Sequence, residues 1–193
     1  MQELLKKINT VTAAGGRAVI AIDGRSAAGK TTLAAALAAQ LGAAVVHMDD
    51  FYLPRVMQPE DLTAHPGGNM DFVRFRAEVV PPLQTGAAGS YRIFNCKAQT
   101  FGAQVPLPAG VPVIVEGAYC LHPALPDLYD LRLFVTVAPG TQLARVRARG
   151  GEAALAAFRT RWIPAEEAYF KAYDVQARCD LTLTYPFADK DSR

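Results

Sequence analysis

The chain has 193 residues, of which 51% are hydrophobic and 20% charged, with a formal net charge of +2. That is enough length and apolar material for one substantial core, and a charge too near balance for a broad nucleic-acid or membrane-binding surface. No apolar run approaches a membrane span, Met1–Lys7 lacks a signal-peptide core, and Cys96, Cys120 and Cys179 show no zinc spacing, so a reduced, cytoplasmic setting is expected.

Leu4, Leu5, Ile8 and Val11 recur at helical spacing, which predicts an amphipathic helix over 3–13 that ends at Gly15-Gly16. Arg17–Ile22 reads as a short buried strand, and Thr32–Leu41 as a helix that Gly42 terminates. Ala43–Met48 is a second apolar strand, running straight into Asp49-Asp50-Phe51-Tyr52. Residues 53–69 carry three prolines and the pair Gly67-Gly68, which predicts a mobile loop. A helix over 71–80 is expected to stop at Pro81-Pro82, and Gly86–Gly89 to turn the chain. Ser90–Phe94 opens a hairpin that continues toward Val105. Val111–Gly117 and Leu131–Val137 are two further strands, Gln142–Arg149 a helix, 152–173 a helix broken near Pro164, and Leu181–Tyr185 a fifth strand.

Between the first strand and its helix stands Gly24-Arg25-Ser26-Ala27-Ala28-Gly29-Lys30-Thr31-Thr32. It fits G-x-x-x-x-G-K-[ST], a pattern expected by chance in roughly one chain in a hundred of this length. Gly24 and Gly29 let the backbone turn tightly, so that consecutive N–H groups face phosphate oxygens. Lys30 supplies a point charge for the β- and γ-phosphates, and the Thr31 hydroxyl is a Mg²⁺ ligand. The strand before and the helix after are the setting that the motif requires. Apolar strands alternating with helices then predict an α/β fold, a P-loop NTPase-type three-layer αβα sandwich around a five-stranded parallel sheet. The chain 1–193 reads as one domain, with 53–107 as a substrate-side insertion bearing the hairpin and about 141–161 as a lid.

Ligands of such sheets bind beyond the carboxyl ends of the strands. The second strand ends in Asp49-Asp50 and the third in Glu116-Gly117. Glu116 closes an apolar run as a Walker-B acid does, which makes it the Mg²⁺ candidate beside Thr31. Asp49, nearer the strand end than Asp50, is placed to accept a proton from an attacking hydroxyl. Asp50 is expected to cap a helix or sit in solvent. Arg145, Arg147, Arg149, Arg159 and Arg161 cluster beside Gly150-Gly151, a lid with a hinge; Arg145 and Arg149 share one face and Arg147 points away. Tyr52 and Tyr91 are substrate-pocket candidates because each keeps a polar tip, whereas Phe72, Phe75 and Trp162 read as packing. His47 and His65 receive no role.

The P-loop, His47-Met48-Asp49-Asp50-Phe51-Tyr52 and Val115-Glu116-Gly117 resemble the uridine kinase-like group of P-loop kinases, which includes phosphoribulokinase and bacterial pantothenate kinase. Arg161-Trp162-Ile163-Pro164 with Glu167 and Tyr169-Phe170 is similar to the small bacterial members called uridine kinase. The resemblance implies Asp49 as catalytic base, Thr31 and Glu116 as Mg²⁺ residues, and Arg145 as the lid arginine. It adds Asp71 as a sugar-binding candidate, with a helix-terminal acid as the alternative. Phe94-Asn95-Cys96-Lys97-Ala98-Gln99 departs from the Tyr-Asp and His with which larger uridine kinases read the pyrimidine, and Arg92 is a further substrate contact.

The expected activity is therefore transfer of the γ-phosphate of ATP, with Mg²⁺, to a hydroxyl of a small molecule, foremost the 5′-hydroxyl of a nucleoside. Lys30, Asp49 and Arg145 carry the chemistry, and Tyr52, Asp71, Tyr91, Arg92, Arg149 and Arg161 contact the acceptor. A kinase for pantothenate or a sugar phosphate, and a non-catalytic nucleotide-binding switch, are the alternatives; the chain lacks the Asn-Lys-x-Asp signature of a GTPase. The expected partner is a small phosphate acceptor, not nucleic acid or membrane, with homo-oligomerisation left open.

Overall fold

The computed structural model describes residues 2–15 and 17–187. Five parallel strands form the central sheet: β1 (Val19–Gly24), β2 (Ala44–His47), β5 (Val113–Glu116), β6 (Leu131–Val137) and β7 (Leu181–Tyr185), in the order β2-β5-β1-β6-β7. Alternation along each strand sorts the side chains onto two faces. Ile20, Ile22, Ile114, Leu133 and Val135 point to one side, where they meet Leu4 and Ile8 of α1 (Gln2–Gly15) and Leu33 and Leu37 of α2 (Lys30–Leu41). Val19, Ala21, Val113, Val115 and Phe134 point to the other, against Phe51, Phe75, Tyr169 and Phe170. Both faces are thus covered, as the near-continuous apolar character of β1 and β5, buried along their whole length, requires.

The second face is built by the segments between β2 and β5 and after β6. Beyond β2 the chain makes a 3₁₀ turn, Met48–Phe51, then a loop with a second 3₁₀ turn at Arg55–Met57. Two short helices follow, α3 (Phe72–Glu78) and α4 (Val80–Thr85), and then the antiparallel hairpin β3 (Gly89–Asn95) and β4 (Thr100–Leu107). Here the expected stop at Pro81-Pro82 is corrected. Val79 ends α3 and caps α4, whose first turn holds both prolines. Proline lacks an N–H, and the first turn of a helix leaves its N–H groups unpaired anyway, so the pair starts a helix rather than ending one.

After β6 come α5 (Pro139–Ala157), a π-helical turn at Phe158–Trp162 and α6 (Ile163–Ala172). Gly151, at φ 70°, divides α5 into two helical stretches, at the glycine pair expected to act as a hinge. The irregularity expected near Pro164 is the π turn. The Ile163 N–H bonds Phe158 O, five residues back, immediately before the proline that cannot donate.

Candidate active site

Pairing in the sheet sets the site. Gly24, at the end of β1, pairs with Val135, while Ile22 of β1 and His47 of β2 both lie level with Glu116 of β5. The carboxyl ends of β2, β5 and β1 are therefore adjacent. At Gly24 (φ 131°) the backbone passes against the Val135 carbonyl, and the Arg25 N–H bonds that carbonyl at 3.0 Å. Gly29 (φ 97°) then turns the chain into α2, whose first residue is Lys30. The Lys30 ammonium folds back to the Gly24 and Arg25 carbonyls at 2.7 and 3.0 Å. The loop thus closes around its own lysine, with Ala28 buried beneath it.

A cavity of about 1030 Å³ opens over this loop. Ser26, Ala27, Gly29, Lys30, Thr31 and Thr32 line it, and Gly24, Arg25 and Ala28 do not. Asp49 and Glu116 line it too. The Thr31 hydroxyl donates to Glu116 Oε1 at 3.0 Å, so the two Mg²⁺ candidates already touch. Two adjacent hard oxygens suit Mg²⁺, which commonly takes one or two protein ligands and completes its shell with phosphate and water. Among the described residues no cluster of three or more acidic, histidine or cysteine side chains could hold a metal without such help.

Asp49 faces the cavity, yet protein atoms crowd its carboxyl from the other sides. This desolvation raises its pKa above the ordinary 3.8, and Glu116 adds to the effect while the Lys30 ammonium opposes it. Asp50 points elsewhere and accepts from the Tyr91 hydroxyl at 3.1 Å. His47, to which the sequence reading gave no role, meets Glu116 Oε1 through Nδ1 at 2.6 Å. That bond raises its pKa, against the opposing influence of burial.

Two buried carboxylates escaped the sequence reading. Asp23, fully buried, accepts from the Gly24 N–H (2.7 Å), the Leu121 N–H (3.1 Å) and the Tyr169 hydroxyl (2.8 Å). Glu166, 7% exposed, accepts from the Ser26 N–H at 3.0 Å and from the Ser26 hydroxyl. Between them Arg25 pairs with Glu167 at 2.8 Å. Residues 23, 25 and 26 thus meet residues 169, 167 and 166 in antiparallel order, and α6 is fastened along the first half of the P-loop. Asp23 sits just before the motif and Glu166 just after Pro164; neither position bears a local signal, because the partners lie about 140 residues apart.

Of the lid arginines, Arg145, Arg149 and Arg161 line the cavity, and Arg145 lies 3.9 Å above the Tyr185 ring. Arg147 pairs with Glu152 at 2.7 Å on the exposed side. Elsewhere the cavity is walled by Tyr52, Arg55, Gln58, Cys96, Gln99 and Trp162. The Trp162 ring stands 6.4 Å from Tyr52, so the residue read as packing forms part of the wall.

Three expected acceptor contacts lie outside this cavity. Asp71 caps α3 by accepting from the Arg74 N–H at 2.9 Å, and its other oxygen lies 3.4 Å from the Arg74 guanidinium. Tyr91 is buried with its ring against Phe51. Arg92 stacks over Phe101 and approaches Glu78 at 3.6 Å.

No family model and no curated protein matches this sequence. Among solved structures, the chain is similar to one described as a possible uridine kinase from Bacillus stearothermophilus, with a TM-score of 0.68 and 21% identity over 93% of this chain and 98% of that one. An uncharacterized protein from Eubacterium ventriosum superposes with a TM-score of 0.47 and 15% identity, over 88% of each chain. A shikimate kinase from Bacteroides thetaiotaomicron does so with a TM-score of 0.46 and 17% identity, over 86% of this chain and 85% of that one. The first likeness shows a shared fold, the predicted α/β architecture. No helix among the described residues is long and apolar enough to cross a membrane.

Proposed function

We propose that this chain is an ATP- and Mg²⁺-dependent P-loop phosphotransferase acting on a hydroxyl of a small molecule. One observation carries the reading: Lys30, Thr31, Glu116 and Asp49, drawn from three neighbouring strand ends, line a single cavity. The shared fold with a possible uridine kinase agrees with it.

In this reading the P-loop N–H groups and the Lys30 ammonium hold the β- and γ-phosphates. Thr31 and Glu116 hold Mg²⁺, which when bound neutralises charge on the phosphates. Asp49 accepts the proton of the attacking hydroxyl at its carboxylate. Arg145 and Arg149 close on the equatorial oxygens, where phosphoryl transfer accumulates charge. Tyr52 and Trp162 wall the acceptor, and the lid keeps water from competing with it.

The acceptor proposed first is the 5′-hydroxyl of a nucleoside, supported by the resemblance of the Asp49–Tyr52 and Arg161–Phe170 segments to uridine kinases. One observation favours a second reading, a sugar phosphate or pantothenate. Asp71, which would bind ribose hydroxyls, is committed to α3, while Arg55 and Arg161 line the cavity.

ADP release is to be measured over a panel of nucleosides, deoxynucleosides, pantothenate and sugar phosphates. The reading expects release to rise with one acceptor class, and Asp49→Asn to lower that turnover by about 10²–10⁴-fold while nucleotide still binds. Release that ignores every acceptor favours a nucleotide-binding module, and undiminished turnover in Asp49→Asn removes Asp49 as the base.

A further inference from the structure

Glu166 places its carboxyl group where the loop offers donors suited to an anion. Its carboxylate takes both donors that Ser26 offers, the backbone N–H at 3.0 Å and the hydroxyl. Ser26 is the third residue of the phosphate-binding motif and lines the cavity, as does Glu166 itself. The Lys30 ammonium bonds Gly24 O and Arg25 O, so it lies beside the Gly24–Ser26 half of the loop. That ammonium is the group that reaches the β- and γ-phosphates. In the kinase reading the Ser26 donors would therefore lie toward the terminal end of a bound triphosphate.

Glu166 is also without a close cationic partner among the described residues. Its neighbour Glu167 pairs with Arg25, whereas Glu166 is held by Ser26 alone. Burial raises its pKa, and the strongest opposing influence is Lys30. A buried carboxylate held this way is poorly compensated. Once ionised, it meets a second anion brought to the same lysine and the same loop as a like charge.

We propose that Glu166 is a positioning residue that occupies the terminal-phosphate end of the P-loop and is displaced from Ser26 when a nucleoside triphosphate binds. The proposal rests on the kinase reading of this site and adds to it a term against the triphosphate that the diphosphate does not meet. Asp23–Tyr169 and Arg25–Glu167 keep α6 against the loop while Glu166 leaves, so displacement is a local event.

Glu166→Gln keeps the volume and an acceptor oxygen and removes the charge; Glu166→Ala removes the competitor. Calorimetric titrations without acceptor compare Mg·AMPPNP, a non-hydrolysable triphosphate, with Mg·ADP. Thermal melts confirm that each variant is folded. The expected result is AMPPNP bound about tenfold more tightly by both variants, the scale of one charge-assisted hydrogen bond, with ADP affinity changed far less. Rescue of the parent's weaker AMPPNP binding by Glu166→Asp adds support, because a purely structural role would not follow the charge. AMPPNP affinity that is unchanged or weaker in both folded variants overturns the proposal. A parent protein that binds neither nucleotide overturns the kinase reading and this inference together, whereas turnover with unaltered AMPPNP affinity overturns this inference alone.

Discussion

Asp49 and Glu116 are both acids at strand ends, yet the structure gives them different surroundings. Glu116 is buried and already shared by the Thr31 hydroxyl and His47. Asp49 opens onto the cavity, with its pKa raised by desolvation. In its proposed role as base Asp49 functions as the carboxylate, so activity is lost as pH falls through its pKa. Because that pKa is raised, the acidic limb of the kcat/KM profile is expected above the 3.8 of an ordinary aspartate. A profile measured with the responsive acceptor checks this; in the residual activity of Asp49→Asn the limb is expected to vanish. The sequence identified Asp49 because it follows an apolar run directly. It did not identify the His47 bond to Glu116, because that contact arises only when β2 and β5 lie side by side.

At the level of elements, β1, the P-loop and α2 were almost fully readable. The signals are local: an apolar run, two glycines at a fixed spacing, and a string of helix formers. What the local pattern understated is how hard the first glycine is constrained. Gly24 has φ 131°, and a Cβ there would run into the Val135 carbonyl of the neighbouring strand. Gly42, which ends α2, has φ 63° and open space where a Cβ would stand. Gly42→Ala therefore costs only the left-handed conformation, about 1 kcal/mol. Gly24→Ala adds a backbone collision in the sheet and is expected to cost about 3 kcal/mol or more, with loss of nucleotide binding. Urea unfolding of the two variants measures the difference; equal losses would mean that β6 yields without cost. The paired prolines of α4 show the opposite case, where a local rule was read in the wrong direction. Pro81-Pro82 ends one helix only in the sense that Val79 has already ended it, and the geometry that stops α3 starts α4.

Across the whole molecule, the packing of α6 on the P-loop links stability to pH. Glu166 has its folded-state pKa raised by burial. A raised carboxylate contributes stability that is complete below the unfolded-state value near 4.5 and is lost as pH rises through the folded-state value. Glu166→Gln lacks this titration. Its stability relative to the parent is therefore expected to rise as pH increases from 4.5 and to level off once Glu166 is ionised in the folded protein. Unfolding midpoints across that range test the sign, and a difference independent of pH would show that Glu166 titrates alike in both states.

By itself the sequence determined the five strands of the sheet, the glycine-rich loop after the first of them, and the acids at two strand ends. Each is written in a few consecutive residues, through side-chain periodicity and the backbone freedom of glycine. The tertiary structure alone decided which strands are neighbours, that Trp162 lines the cavity, and that Asp23 and Glu166 fasten the loop to α6. Those outcomes depend on groups far apart in the chain. Burial and hydrogen-bond satisfaction select them only after the sheet has assembled, and they leave no periodic trace in the residues themselves.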